Sequence, residues 1–426
     1  MISIEFKPLR RVAAPFARAR VQRRRARVSR ICECARRGAR ANDGAVVASR
    51  SAAHRAADSK SVEACAMSPA LRAESVVLRR AHALWSVAHD PSRAGVAFAC
   101  ESTGAVARLR ASSATKAWRE VERLERCDRA ARACAVSPCG GLVAVASFDG
   151  TTTVHRRERR RRDGRDDDDD DDDDAKLERD DDDERWTRAC AVEGHESEVK
   201  SCAWSRSGSL LATCGRDRAV WVWERYGEEE FECAAALHGH AGDVKRVTWH
   251  PTEDVLVSVS YDESVRVWRE DADGDDWTCA QVLGGEDGSH GEGHEGTVWC
   301  ASFEPRTLDD GSRGTRCVTC GGDGALIVWN GRGFCDTELE FGARFACGHD
   351  RAVLSCSWGK NGVVAAGGGD NSIRLYAEID GTWREIVTVE NAHDDDVNDV
   401  QWSPHDSSLL MSASDDGTVK TWRFTP

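Results

Sequence analysis

Residues 195–223, HESEVKSCAWSRSGSLLATCGRDRAVWVW, contain three short runs of alternating apolar and polar positions, separated by turn residues. Alternation with a period of two predicts half-buried β-strands. A Gly-His pair precedes the first run, and Asp217 stands six residues before Trp223, which ends the third run. The stretch therefore predicts most of one four-stranded antiparallel unit.

The same pattern recurs along the chain, and its Asp position can be counted. That position is occupied by Asp149, Asp217, Asp262, Asp323, Asp370 and Asp416, with Thr103 in the same register upstream. The spacing is 45–47 residues wherever no insertion intervenes, which is the length of a four-stranded propeller blade of the WD-repeat type. The sequence predicts an all-β fold, a seven-bladed WD-repeat β-propeller over residues 74–426.

The last blade needs a strand from elsewhere in the chain. Only Arg423–Pro426 follow Trp422, which is too few residues for a fourth strand. An unpaired sheet edge invites aggregation, and Val76–Arg79 at the start of the domain can cover it. We therefore expect the last blade to be closed by an N-terminal strand.

Each blade carries polar residues that can brace its strands. A His precedes the blade Asp by 21–23 residues where no insertion intervenes, a hydroxyl precedes it by four, and a Trp follows it by six. Three complete sets are His195, Thr213, Asp217 and Trp223; His240, Ser258, Asp262 and Trp268; and His393, Ser412, Asp416 and Trp422. Hydrogen bonds among them would satisfy buried polar groups. A His-Ser-Asp set that recurs from blade to blade predicts structure and not a catalytic triad.

The first two blades depart from this pattern. Leu109 and His155 replace the Trp, and Cys127 stands where the second blade is expected to have its His. We expect these two blades to be held mainly by apolar packing and to be the less stable ones.

Charge is distributed unevenly along the 426 residues. Residues 1–66 carry sixteen Lys and Arg against five Asp and Glu, so the net charge of −14 leaves −25 on the rest. This first segment is interpreted as a basic disordered arm, with an organelle transit peptide or upstream sequence before a start at Met67 as the alternatives. The acidic remainder argues against direct nucleic-acid binding, which depends on Lys and Arg. No apolar run is long enough to span a membrane.

The largest insertion, residues 156–185, joins a run of Arg to nine consecutive Asp at 166–174. Like charges in blocks repel each other, so we expect a disordered acidic loop. The sequence has no nucleotide-binding motif, and Cys317 and Cys320 lie three apart on a predicted strand, so they point to opposite faces. We expect no cofactor, no metal site and no enzymatic activity.

Several segments resemble the cytosolic iron-sulfur protein assembly WD-repeat family (CIAO/Cia). They are ASFDGTTTV at 146–154, EGHESEVKSCAWSRSGSLLATCGRDRAVWVWE at 193–224, HAGDVKRVTWHPTEDVLVSVSYDESVRVW at 240–268, DVNDVQWSP at 396–404 and SASDDGTVKTW at 412–422. The resemblance implies a scaffold of the cytosolic complex that delivers 4Fe-4S clusters to cytosolic and nuclear apoproteins. It implies three partners besides these clients: a DUF59-family protein, a HEAT-repeat adaptor and an iron-only-hydrogenase-like cluster carrier. It also implies a cytoplasmic, and in part nuclear, location.

The repeat register predicts which residues face a partner. Residues just before the blade Asp, and just after the Val that opens each first strand, are expected to crowd one end of the channel. They are Phe148, Arg216, Tyr261 and Asp415, with Lys200, Lys245, Trp299 and Asn398. Aromatic and Arg side chains are enriched in binding hot spots. The resemblance implies that Arg216 is functionally important; the alternative is that Arg216 pairs with Asp217 or a neighbouring loop.

Two other function classes are alternatives to the assembly scaffold. One is a substrate receptor of a cullin-type ubiquitin ligase, although the W-D-x-R box of such receptors is missing after Trp223, Trp268, Trp329 and Trp422. The other is a histone-binding propeller, for which only the acidic insertion argues.

Overall fold

The computed structural model describes residues 68–159, 184–227, 229–271, 274, 276–285, 293–305, 316–331 and 338–426. Residues 1–66, for which a basic arm is expected, and residues 160–183 of the acidic insertion lie outside the described residues. The flanks of that insertion are not a loop as expected, because 156–159 and 184–185 belong to two paired strands.

The described residues form 28 β-strands in seven antiparallel sheets of four. Blade one consists of the strands β2 to β5, and blades two to six take the next four consecutive strands each. The strands of blades one to three are β2 (Leu84–His89), β3 (Val96–Glu101), β4 (Val106–Ala111), β5 (Trp118–Arg123), β6 (Ala131–Val136), β7 (Leu142–Ser147), β8 (Thr151–Arg159), β9 (Glu184–Glu193), β10 (Val199–Trp204), β11 (Leu210–Gly215), β12 (Val220–Tyr226) and β13 (Glu230–Leu237).

The remaining four sheets follow the same order, except that the last one includes the first strand of the domain. Their strands are β14 (Val244–Trp249), β15 (Val255–Ser260), β16 (Val265–Glu270), β17 (Trp277–Leu283), β18 (Val298–Phe303), β19 (Arg316–Gly321), β20 (Ala325–Gly331), β21 (Leu339–Ala346), β22 (Val353–Trp358), β23 (Val364–Gly368), β24 (Ile373–Ile379), β25 (Thr382–Val389), β26 (Val397–Trp402), β27 (Leu409–Ser414), β28 (Thr418–Thr425) and β1 (Ala70–Arg79). The innermost strands of neighbouring blades contact each other all the way round, and β26 of blade seven contacts β2 of blade one. The predicted seven-bladed propeller is confirmed.

Blade seven is a composite of both ends of the described chain, in the order β1-β28-β27-β26. The N-terminal strand is longer than the expected Val76–Arg79, because its pairing with β28 begins at Ala70 opposite Thr425. Leu71 and Leu78 on this strand are buried. The predicted start of the domain at residue 74 is therefore four residues too late.

The core lies between the blades. The second strand of a blade is mostly apolar and is buried along its whole length, as in β7, β11 and β15, because a neighbouring blade covers each of its faces. The outer strands alternate between partly buried and exposed positions, as in β21. The outer strands therefore show the period-two alternation of a half-buried strand, whereas the second strand, which is buried on both faces, does not need to alternate.

The tight turn after each second strand places the residue that follows the blade Asp in the left-handed region. The φ values are 95° at Gly104, 92° at Gly150, 66° at Arg218, 66° at Glu263, 67° at Gly324, 66° at Asn371 and 76° at Gly417. Glycine occupies four of the seven positions because it adopts positive φ without strain. The Asp side chain accepts a hydrogen bond from the backbone two residues on, as between Asp217 and Ala219 N (3.2 Å), and so stabilises the turn.

Candidate functional site

A β-bulge occurs at the same place in the first strand of every blade. The pairing of each first strand with the second skips one residue directly after the strand begins, for example between Val199 and Ser201. The skipped residues are Trp85, Arg132, Lys200, Lys245, Trp299, Leu354 and Asn398, which we call the bulge ring. A bulge re-aims a side chain away from the regular ladder. Each blade therefore presents one side chain at the same end of the channel.

Members of the bulge ring contact side chains from the turns before the blade Asp. The ammonium of Lys200 lies 4.1 Å from the centre of the Phe148 ring, and Phe148 packs against Trp85 with ring centres 5.2 Å apart. Lys245 lies 5.4 Å from the Tyr261 ring and 5.0 Å from the Trp299 ring. Cation-π contacts of this kind hold long side chains in place. The result is a surface of alternating cationic and aromatic groups, which together with Arg216 and Asp415 we call the top face.

Glu198 joins three cations of two blades on the top face. Its carboxylate accepts a hydrogen bond from Lys200 Nζ (2.6 Å), and it lies 3.7 Å from Arg216 Nη1 and 3.8 Å from Arg129 Nη2. The hydrogen bond from Lys200 is the largest cause that lowers the pKa of Glu198. Glu198, Arg216 and Arg129, with Phe148, line a cavity of about 390 Å³ between blades two and three.

Arg216 is an accessible cation of this group: 59% of its side chain is exposed, against 15% for Lys200. Its ion-pair partner among the described residues is Glu198 at 3.7 Å, and not the adjacent Asp217. A contact that long on an exposed side chain contributes little to stability. The guanidinium is therefore available to a partner molecule.

Asn398 and Asp415 lie on the blade seven side of the same surface. The Asn398 side-chain amide donates to Asp415 Oδ1 (2.7 Å) and to the backbone carbonyl of Leu84 (3.1 Å). Trp85 Nε1 donates to Asp415 as well (3.2 Å). The structure thus brings the eight sequence-predicted residues together as three contacting groups around one end of the channel.

Four residues of the top face were missed by sequence reasoning: Trp85, Arg129, Arg132 and Glu198. Trp85 and Arg132 follow Leu84 and Ala131, so a rule based on a strand-opening Val did not find them. The signal that could have found Trp85 and Arg132 is the position one after the first buried residue of each innermost strand, whatever its type.

The predicted brace residues form a hydrogen-bonded chain in each complete blade. In blade three, His195 Nδ1 contacts Asp217 Oδ2 (2.8 Å), His195 Nε2 contacts Thr213 Oγ1 (2.9 Å), and Trp223 Nε1 donates to Thr213 Oγ1 (3.0 Å). The corresponding distances are 2.9, 2.8 and 2.8 Å in blade four, from His240, Ser258, Asp262 and Trp268. They are 2.9, 2.7 and 2.8 Å in blade seven, from His393, Ser412, Asp416 and Trp422. This series of hydrogen bonds ties the loop before a blade to the second and third strands of that blade.

Blade six has an incomplete brace. His349 Nδ1 contacts Asp370 (2.9 Å), but the hydroxyl position is occupied by Ala366. His349 Nε2 is buried and has no hydrogen-bond partner among the described residues. In place of the Trp indole, the Tyr376 hydroxyl donates to the Cys347 carbonyl.

The expectation for blades one and two needs an addition, because charged groups replace the brace in blade one beside the apolar packing. The Glu101 carboxylate contacts His82 Nε2 (2.8 Å) and accepts hydrogen bonds from Arg80 Nε (2.9 Å) and the Thr103 hydroxyl (3.1 Å). The Glu101 side chain is 1% exposed, so these contacts are needed to offset its burial. In blade one, Glu101, the last residue of β3, thus takes the place that the turn Asp has in the brace of the complete blades.

Buried charges also lie between blades one and two. The Arg108 side chain is 2% exposed and pairs with Glu122 (3.1 Å) and Glu184 (3.3 Å), and Glu184 also pairs with Arg93 (2.7 Å). Within blade two, Thr153 Oγ1 contacts His155 Nε2 (3.2 Å), and Cys127 Sγ lies 3.8 Å from the same hydroxyl. 

The brace histidines predict a pH dependence of stability. Burial is the largest cause that lowers the pKa of His240, His349 and His393. Burial alone would raise the pKa of Asp416, but the hydrogen bonds from His393 and Thr418 bring it below its usual value. Groups with a lowered pKa in the folded state contribute stability that is present above their unfolded pKa and is lost as the pH falls.

We therefore expect the free energy of unfolding to decrease as the pH is lowered from about 7 to about 4, by up to about 1.4 kcal/mol per pH unit for each histidine that protonates only when unfolded. Urea denaturation at several pH values measures this slope. A His393→Asn variant, which keeps a polar side chain but does not titrate in this range, is expected to show a shallower slope. Equal slopes for the two proteins would contradict the assignment.

Among the described residues, no group of three or more His, Cys, Asp or Glu side chains is arranged to hold a metal ion. The described cysteines are free thiols. The described part of the chain contains no helix long and apolar enough to cross a membrane.

The chain was compared with known families and proteins. The family described as "WD domain, G-beta repeat" matches residues 186–224, 231–269, 343–377 and 384–423. A Debaryomyces hansenii protein named "Probable cytosolic iron-sulfur protein assembly protein 1" is 43% identical over 265 residues, which cover 56% of this chain and 65% of the relative. Proteins of the same name from Scheffersomyces stipitis and Kluyveromyces lactis are 42% and 44% identical, and the matches cover 69% and 68% of those relatives.

The matched region thus spans just under two thirds of the Debaryomyces protein and slightly more than two thirds of the other two. The identity extends well beyond the repeat positions that any WD-repeat blade shares, since it exceeds 40% over more than 230 residues. By fold, repeat pattern and sequence, this chain belongs to the WD-repeat family of cytosolic iron-sulfur protein assembly protein 1.

Proposed function

We propose that the chain is a non-enzymatic scaffold of the cytosolic iron-sulfur protein assembly (CIA) targeting complex, which promotes delivery of 4Fe-4S clusters to cytosolic and nuclear apoproteins. The names of its relatives support a role in cytosolic iron-sulfur protein assembly. A propeller contributes to such a process by binding other proteins on its loops and channel ends. The proposed location is the cytoplasm, with part of the population in the nucleus.

The observation that carries this proposal is the composition of the top face. Lys200, Lys245 and Arg216 lie among Phe148, Tyr261 and Trp299, and the Tyr261 side chain is one of the few exposed large hydrophobic groups among the described residues. Aromatic and Arg side chains dominate the energetics of protein interfaces. Their contacts with each other hold them in place before a partner arrives, which lowers the entropy cost of binding.

The partners that we propose are a DUF59-family CIA protein, a HEAT-repeat CIA adaptor, an iron-only-hydrogenase-like cluster carrier and the apo iron-sulfur clients. The clusters are cargo in this scheme and are carried by those proteins. Neither nucleic acid nor a membrane is a proposed partner.

Arg216→Ala is expected to weaken capture of at least one of these partners by at least about tenfold, which corresponds to about 1.4 kcal/mol. The stability of the fold should change by less than about 0.5 kcal/mol, because the side chain is exposed and its one ion pair is long. Binding of purified partners to the immobilised chain measures the affinity. Arg218→Asn is the matched control, because Arg218 is exposed in the same turn and Asn tolerates its φ of 66°.

Unchanged affinity of Arg216→Ala for every CIA partner would contradict the role of the top face. Affinity purification of the unaltered chain tests the function class separately. Recovery of iron-sulfur assembly factors supports the proposal, whereas recovery of cullin adaptors or of histones in their place would overturn it.

A further inference from the structure

Three buried cysteines meet where blades five and six pack against each other. Cys300 belongs to β18, Cys320 to β19 and Cys356 to β22. Each of them is at most 1% exposed, and all three belong to one apolar cluster of residues from both blades. Neither the brace nor the top face uses these thiols, so the chemistry of the group is still to be explained.

The pairing of β18 with β19 places two of the thiols on the same side of the sheet. Cys300 is directly opposite Cys320 in the antiparallel register. The Cα atoms of directly opposite residues are about 4.5 or about 5.5 Å apart, according to the type of pair, and their side chains lie on the same face. A disulfide bond needs Cα atoms that are about 4.4–6.8 Å apart. The register therefore meets the distance that a bond between these two sulfur atoms requires. 

Cys356 approaches this pair from blade six. Its thiol lies 3.8 Å from the carbonyl oxygen of Val318 in β19, and the Cys300 thiol lies 3.5 Å from the carbonyl oxygen of Cys356. The Cys300 thiol also shares hydrogen bonds with the thiols of Cys320 and Cys356. Among the residues that the structure describes, these three included, no group of three or more His, Cys, Asp or Glu side chains is arranged to hold a metal ion. A bond between two sulfur atoms is therefore the chemistry that the contacts favour.

Cys300 is the member of the group whose surroundings favour the thiolate. The hydrogen bonds with Cys320 and Cys356 are the largest causes that lower the pKa of Cys300. The guanidinium of Arg246 lowers this pKa further, while burial opposes the change. Burial raises the pKa of both Cys320 and Cys356. Because the thiolate, and not the thiol, is the nucleophile in oxidation, Cys300 is expected to react first and Cys320 second.

The propeller channel brings small molecules close to Cys300. Ala301 and Ser302, which follow Cys300 in β18, line a cavity of about 310 Å³ together with residues of five other blades. Hydrogen peroxide is only slightly larger than water, of which one molecule takes up about 30 Å³ in the liquid. The cavity thus has room for this oxidant next to β18. Because the Cys300 side chain has no exposed surface, the last step needs a local opening of blade five, of the kind that folded proteins undergo.

We propose that Cys300 and Cys320 form an oxidation site, at which hydrogen peroxide converts the two thiols into a disulfide bond inside blade five. The Cys300 thiolate attacks one peroxide oxygen: a bond between sulfur and oxygen forms, the bond between the oxygens breaks, and the departing hydroxide takes up a proton to give water. Cys320 then loses its proton, and its sulfur attacks the sulfenic acid of Cys300, which releases a second water. In total, the two sulfur atoms lose two electrons and the peroxide gains them.

The disulfide bond would change the stability of the protein. It closes a loop of about 20 residues between β18 and β19, which restricts the unfolded chain. Because the two residues are already paired in the folded protein, the bond needs little rearrangement of the backbone. We expect the oxidised protein to melt a few degrees above the reduced one.

The test uses the complete chain without partner proteins, so its result does not depend on the proposed scaffold role. The reduced protein is treated with hydrogen peroxide, the remaining thiols are blocked with N-ethylmaleimide after denaturation, and the peptides are analysed by mass spectrometry without reduction. Fragmentation of linked peptides is expected to assign the bond to Cys300 and Cys320, and dithiothreitol is expected to remove it. Cys317 is the internal control and should remain a free thiol, because it is as buried as Cys320 but belongs to the cluster shared with blade four.

Two variants separate this bond from general oxidation of the protein. Cys320→Ser is expected to abolish the linked peptides and the rise in melting temperature, whereas Cys317→Ser, the matched variant, should keep both. The unaltered chain decides the question even if Cys320→Ser does not fold. A bond from Cys300 to Cys356 or to Cys317 in place of Cys320, or oxidation of the exposed Cys139 without any bond at Cys300, would each overturn the proposal.

Discussion

Deletion of residues 1–81 is expected to unfold the propeller, whereas deletion of residues 1–67 is expected to leave its stability unchanged. The first deletion removes β1 and exposes the full length of β28, from Thr418 to Thr425. It also removes Leu71 and Leu78 from the core, at a cost of about 1.5–3 kcal/mol for each buried side chain.

The same deletion removes Arg80, which contacts both Glu101 and Glu120 in blade one. Of its contacts in the intact protein, the buried Glu101 would keep those with His82 and Thr103 and a long contact with Arg123 (4.0 Å). The combined loss of at least about 5 kcal/mol is comparable to the whole stability of a typical domain. The open edge of β28 would in addition favour aggregation.

Thermal unfolding and gel filtration of the two deletion variants measure this effect. A third variant that begins at Ser75 is informative, because it loses Leu71 and the ion pair of Glu74 with Arg423 (2.9 Å) but keeps Leu78. Its stability is expected to lie between those of the other two. Equal melting temperatures for the variants that begin at Ser68 and His82 would show that β1 does not hold the ring closed.

Asp399→Asn is expected to have the second large effect, a loss of about 3–5 kcal/mol. Asp399 is fully buried, and its carboxylate links blade seven to Ser86 and Val87 of blade one, Ser355 of blade six and Arg246 of blade four. The amide of Asn would place donor hydrogens against these donors. It would also leave Arg246 without its counter-ion.

Urea denaturation gives the loss as a change in midpoint at constant slope. Asp243→Asn is the matched control, because Asp243 is more exposed and its contact with Lys245 is 3.5 Å long; we expect a change below about 1 kcal/mol. Arg246→Met in the Asp399→Asn background should recover part of the loss, since it removes the uncompensated charge. A loss for Asp399→Asn as small as that of the control would refute the cross-channel role.

The number of blades and the position of the brace residues were predictable because both depend on local spacing. The turn that begins at Asp217 needs an Asp at one position and a residue that tolerates a positive φ at the next. The sequence pattern therefore recurs wherever the turn recurs. His195 and Thr213 are then fixed relative to Asp217 by the length of two strands. Residues that act within one repeat can be read from that repeat alone.

The substitute contacts of blades one and two were not predictable in this way. Glu101, at the end of β3, accepts a hydrogen bond from Arg80, which lies outside the blade. Arg108 donates a hydrogen bond to Glu184 in the next blade. Such pairs depend on how blades pack against each other. A repeat alignment compares equivalent positions and gives no information about contacts between different positions of neighbouring repeats.

Part of the top face was predictable for a third reason. The bulge after the first strand residue is common to all seven blades, so the position of Lys200 predicts the positions of Lys245, Trp299 and Asn398. What could not be predicted is which members touch. The contact of Lys200 with Phe148 and the shared position of Glu198 follow from side-chain directions that only the assembled ring defines.

The composite last blade also determines the order of assembly during synthesis. The hydroxyls of Ser75 and Thr421 contact each other across 346 positions of sequence, so β1 leaves the ribosome long before its partner strand exists. Blades one to six consist of consecutive strands and can pair as they emerge, whereas the ring cannot close until the final residues are released. Contacts between such distant residues form slowly because a long loop must close first. We therefore expect the nascent chain to carry an unpaired N-terminal strand for most of its translation, which makes that strand the natural point of attachment for a chaperone.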